Sequence, residues 1–149
     1  MRICELIWPW ASSIFLSIMI FNQSCLRSIE CDQTSDESVL LRMRDDMRVD
    51  LPRGSKIINF FEPDRLVDPV WLAKIEFPAF SFDEFKVVLE QKKDDGTTYK
   101  SPFRSSAVFW TPTNIVFGKK FLADDETFVE IIISRTNSLC YAYIECVVF

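Results

Sequence analysis

Residues 127–149 read TFVEIIISRTNSLCYAYIECVVF. Two runs rich in β-branched and aromatic side chains, Thr127–Ser134 and Leu139–Phe149, flank the polar triplet Thr136-Asn137-Ser138. Such runs fit a pleated, half-buried surface, and a short polar connection makes the pair an antiparallel hairpin. Successive strand residues face opposite ways. In the last strand Cys140, Ala142, Ile144, Cys146 and Val148 form a small aliphatic face suited to lie under a helix. The opposite face carries Leu139, Tyr141, Tyr143, Glu145, Val147 and Phe149. It is amphipathic, and the expectation is that the first helix covers it or a partner meets it.

The helix for the aliphatic face lies upstream. Ser81-Phe-Asp-Glu84 has the form of a capping box, with Ser81 as N-cap, and Phe80 and Phe85 occupy the positions of a hydrophobic staple. Phe82, Phe85, Val88 and Leu89 fall on one side of a helix that ends near Gln91. Before it, Ser55–Phe61 and Val70–Phe77 read as strands joined across Glu62–Pro69. In the second of these, Trp71, Ala73, Ile75 and Phe77 alternate with Leu72, Lys74 and Glu76. Thr34-Ser-Asp-Glu37 is another capping box. It opens a helix to about Arg48 with Val39, Leu40, Met43 and Met47 as an apolar stripe. After the second helix, residues 92–106 read as a long polar loop. Short strands are expected at Ala107–Trp110 and Asn114–Phe117, with a turn at Ala123–Glu126.

The order α-β-β-α-β-β-β with antiparallel connections indicates an α+β domain. The expected architecture is an antiparallel sheet of four to five strands packed against one or two helices. An apolar N-terminal signal or anchor segment precedes it. The boundaries read as residues 1–24 for that segment, 25–36 for a linker and 37–149 for the single domain.

The N-terminal segment rests on Ile7–Phe21, 15 residues without a charge. A spanning helix needs about 17–25 residues and a signal core about 7–15. Length favours a secretory signal, although Glu5 offsets Arg2 in the n-region. Cys25 follows Ser24 as in a bacterial lipoprotein signal, but Asn22 and Gln23 depart from that pattern. Cys25 is therefore a candidate lipidation site. The alternatives are ordinary cleavage, an uncleaved anchor, and a misassigned start on a cytoplasmic protein.

With 149 residues the chain suffices for one domain. Its 17 Lys and Arg against 22 Asp and Glu give a net charge of −5, which opposes a nucleic-acid surface. It has 0 histidines, which removes histidine-based nucleophile activation and histidine-ligated zinc. Its 3 glycines are too dispersed for a phosphate-cradling loop. No cofactor is expected.

The visible acid clusters, Asp45-Asp46, Asp94-Asp95 and Asp124-Asp125-Glu126, read as ion-paired or solvated surface, as do Lys92, Lys93, Lys100 and Arg104. Cys140 and Cys146 read as small buried residues. On one regular strand they would stand about 20 Å apart. That is beyond the roughly 7 Å a disulfide allows. Trp71, Trp110, Tyr141 and Tyr143 are the candidate partner face. The terminal aromatic pattern also occurs in outer-membrane barrels, but two helices and too few strands oppose closure. The expected function is a small exported, membrane-tethered or secreted, non-catalytic binding domain. A carboxylate-dependent secreted hydrolase and a cytosolic inhibitor-like module are the alternatives.

Overall fold

A computed structural model describes residues 37–63, 69–94, 96 and 102–149. The expectations for the signal or anchor, for Cys25 and for the Thr34 capping box lie outside the described residues. The elements are α1 (Glu37–Met47), β1 (Lys56–Phe61), β2 (Val70–Pro78), α2 (Phe82–Glu90), β3 (Ile115–Asp124), β4 (Thr127–Arg135) and β5 (Leu139–Val148). The strands form one open antiparallel sheet in the order β1-β2-β5-β4-β3. The fold is α+β.

Both helices pack on one face. Met43 and Met47 of α1 and Phe82, Phe85 and Leu89 of α2 join Trp71, Ala73, Ile75 and Phe77 of β2 in the core. The same core takes Cys140, Ala142, Ile144 and Cys146 of β5 and Val129, Ile131 and Ile133 of β4. Phe77 and Phe85 meet edge to face at 5.8 Å. Strand β1 contributes both Ile57 and Phe60 to this face, three residues apart, which strict alternation forbids. A bulge resolves it: Ile57 pairs with Ile75 and Asn59 with Lys74, so Ile58 is the extra residue that resets the phase.

Helix α1 ends where Arg48 takes a positive φ of 53°. Lys92 Nζ then donates to the Arg48 carbonyl at 2.7 Å and satisfies an end-of-helix acceptor. Helix α2 starts differently from expectation. Ser81 sits in a 3-10 turn (Ala79–Ser81) with φ −85° and ψ −1°, and its side chain makes no capping bond. An N-cap side chain bonds inward from extended backbone, which Ser81 lacks. The chain instead coils straight off β2, and the Ala79 N–H donates to the Ser138 carbonyl at 3.1 Å. The staple fails with the cap: Phe80 is 85% exposed and Phe85 is buried.

The face away from the helices holds a smaller apolar cluster of Phe61, Val70, Leu72, Ala107, Phe128 and Val147. Here α1 is not the cover. Residues 102–110 cross this face as a strap, a 3-10 turn (Pro102–Ser105) followed by further turns. Ser106 and Ala107 donate to the Phe103 carbonyl, and Trp110 donates to that of Ala107. The expected strand at Ala107–Trp110 is absent because its backbone bonds close locally. Strand β3 is longer than expected, reaching Asp124. It lies at the sheet edge, where Lys119 and Lys120 are tolerated and oppose further pairing.

Candidate functional site: a charged clasp and an aromatic surface

Two acids stand alone in apolar strands, Glu130 in β4 and Glu145 in β5. The register places them directly opposite each other. Their row continues to Leu72 on one side and Lys120 on the other. Glu145 is 0% exposed and Glu130 is 7% exposed. Like charges opposed across strands repel, and a buried carboxylate needs a partner. Arg104 of the strap supplies it. Its Nε donates to Glu145 Oε2 at 2.7 Å, and its Nη2 donates to Oε2 of both Glu130 and Glu145. Lys120 Nζ adds a contact to Glu130 at 3.3 Å. Two cations thus balance two anions. Burial works against the charge on Arg104, but its hydrogen bonds to Glu130 and Glu145 prevail and its pKa is raised. Glu145 Oε1 is buried with no partner among the described residues, so the carboxylate depends on its other oxygen.

The guanidinium also lies 5.1 Å above the ring of Trp110. Trp110 meets Tyr143 edge to face at 5.9 Å. Lys74 Nζ sits 5.0 Å from the Tyr141 ring centre and 5.3 Å from that of Tyr143. Burial, the Glu76 charge and a hydrogen bond to Glu76 push the Tyr141 hydroxyl above its usual range. Contacts therefore run without a gap from the carboxylate pair through Arg104 and Trp110 to the tyrosines and Lys74. Tyr141, Trp110 and Lys74 are partly exposed, whereas Tyr143, expected on the partner face, is buried at 4% exposure because Trp110 and Lys74 pack over it.

Three of the four sequence-selected aromatics, Trp110, Tyr141 and Tyr143, come together here. Trp71 does not. It is fully buried on the helix face, stacked on Phe60 at 5.9 Å, with its indole N–H donating to Asp46 at 2.8 Å. Its neighbour Leu72 points to the strap side, as alternation requires. The basic group of the long loop is also revised. Arg104 is part of the buried clasp because only a cation there neutralises Glu130 and Glu145. The named acid clusters stay apart: Asp46 serves Trp71, Asp94 lies 3.6 Å from Lys119, and Asp124 accepts the Glu126 N–H at 3.1 Å in the β3–β4 turn. The converging acids escaped notice because each is single in its strand. An isolated acid on the otherwise apolar face of a central strand was the available signal.

Cys140 and Cys146 are buried free thiols. Burial raises the pKa of both, that of Cys146 most strongly. Among the described residues, no group of three His, Cys, Asp or Glu side chains could hold a metal ion. None of the described helices is long and apolar enough to cross a membrane. No family model, curated protein or solved structure matches the chain.

Proposed function

We propose that residues 37–149 form a non-catalytic binding domain, exported and either tethered or released, that meets a protein partner through Trp110, Tyr141 and Lys74, with the buried Tyr143 supporting them from below. The observation that carries this reading is the continuous cation–aromatic surface, in which Lys74 bridges two tyrosines beside Trp110. Tyrosine and tryptophan supply large contact area with few rotatable bonds and dominate binding hot spots. Export rests on the uncharged stretch Ile7–Phe21.

The test has two parts. Intact mass of the protein recovered from native membrane and soluble fractions reads the N-terminus. A mass beginning at Cys25 with acyl chains supports tethering, and an unmodified full-length soluble protein overturns export. Crosslinking in native cells then compares the wild type with Tyr141→Ser and Lys74→Glu, using Val87→Ser on the outer side of α2 as a control. The reading expects one adduct, lost in the first two variants and kept in the control. Retention of that adduct in all three overturns it.

The second reading, a carboxylate-dependent hydrolase, draws on the register pair Glu130–Glu145. Turnover against a hydrolase panel, abolished by Glu145→Gln in a folded protein, would favour it over the binding module.

A further inference from the structure

We infer that Arg104 is a positioning residue for the aromatic surface, and that the Glu130–Glu145 pair is the clasp that sets it. This rests on the reading of that surface as the partner face. Three observations combine. Among the described residues, the Arg104 guanidinium touches both the buried acids and the Trp110 ring. Arg presents donors in a rigid planar fork, so fixing two of its nitrogens fixes the plane over which Trp110 lies. Glu145 has no second partner for its Oε1, so its grip on Arg104 Nε and Nη2 is its whole attachment among the described residues.

The strap covers the small apolar cluster, which is separate from the helix-face core. Its apex residue Val108 is 91% exposed. Loss of one clasp charge therefore moves the strap and Trp110 while the helices and sheet stay folded. The aromatic surface exists in its described form only while both carboxylates hold Arg104. A partner that binds this surface thus reads the state of a buried ion pair.

The experiment uses the full-length chain labelled with 5-fluorotryptophan, with Trp110 and Trp71 assigned by Trp110→Phe and Trp71→Phe. Fluorine NMR and hydrogen exchange are recorded for Glu145→Gln, which keeps shape and removes charge. They are repeated for Arg104→Lys, which keeps charge and removes the fork, and for Glu130→Gln, should Glu145→Gln not fold. The expected result is a shifted Trp110 resonance with Trp71 unmoved. Exchange across residues 103–111 should rise about tenfold or more while β5 and α2 keep their protection. Arg104→Lys should shift the Trp110 resonance as well. An unmoved Trp110 in folded Glu145→Gln overturns the inference, as does joint displacement of Trp110 and Trp71 in every variant. Because the readout needs no partner, a moved Trp110 with unchanged crosslinking condemns the partner-face reading and leaves the clasp standing.

Discussion

The two faces of the sheet solve the burial problem in different ways. On the helix side, apolar side chains from both helices and all five strands interlock. A polar contact enters where Asp46 accepts the Trp71 indole N–H. On the strap side a smaller apolar cluster borders two buried glutamates, an arginine and a row of aromatics. The first face is held by area, which is forgiving of chemistry but not of volume. The second is held by charge balance, which is forgiving of neither partner's loss. A buried ion pair adds little stability over a good apolar fit, and in some proteins it specifies a conformation instead. Here the conformation specified is that of the strap.

The largest effect belongs to the helix side. Phe77 is fully buried and packs on Phe85. Phe77→Ala should cost about 3–5 kcal/mol, read as a lower urea midpoint with an unchanged slope. A loss below about 1 kcal/mol would show that this core is not close-packed, and the contrast between the faces would collapse.

Next comes the strap side. Arg104→Met leaves two facing carboxylates with only Lys120 nearby. The expected cost is about 3 kcal/mol, the lower end for a broken buried pair because Lys120 remains. Adding Glu130→Leu and Glu145→Leu should recover most of that loss, since apolar replacements remove the stranded charge. The triple variant should nevertheless fail to restore the Trp110 resonance. If it restored both, the ion pair would be a packing filler and the two faces would be alike.

The same contrast explains what was legible in the sequence. The helix face was readable because area burial leaves a periodic trace. The alternation in β2 and β5 and the spacing of Phe82, Phe85 and Leu89 each assign a side without knowledge of the partner. The strap face was not readable because its organising contact joins residues 26 and 41 positions apart. Nothing local to Arg104 distinguishes it from Lys92 or Lys93. A short apolar run is ambiguous in the same place: Ala107–Trp110 looks like a strand, yet its backbone bonds close locally, with Trp110 donating to the Ala107 carbonyl. Residue type places Trp71 with the surface aromatics, whereas its alternation in β2 sets it with Phe77 on the helix face.

A smaller effect tests the dryness of the helix face. Burial raises the pKa of the Cys146 thiol. Below the unfolded value of about 8.5 the thiol is protonated in both states and contributes no pH dependence. Above it the unfolded chain releases a proton that the folded chain keeps, so stability falls as pH rises, by at most about 1.4 kcal/mol per pH unit for one proton. Denaturation midpoints between about pH 8.5 and 9.5 should decline, and Cys146→Ala should lessen the decline, leaving the share that belongs to Cys140. A wild-type midpoint that holds steady across this range would mean that water reaches the thiol.

The smallest effect comes from an ion pair with better geometry than energy. Arg42 Nη1 and Nη2 donate to Glu62 Oε2 and Oε1 at 2.9 and 2.7 Å, a bidentate arrangement. On distances alone it resembles the Arg104 clasp. Its side chains, however, are 42% and 36% exposed, and Arg42 has Asp46 in reserve at 3.6 Å. Water and salt screen what burial would amplify, so Glu62→Gln should cost about 0.2–1 kcal/mol, and less in concentrated salt. Two arginine forks on one domain thus separate geometry from environment. A Glu62→Gln loss as large as that of Arg104→Met would mean that bidentate contact, and not burial, governs both. The strap would then owe its position to hydrogen-bond shape alone.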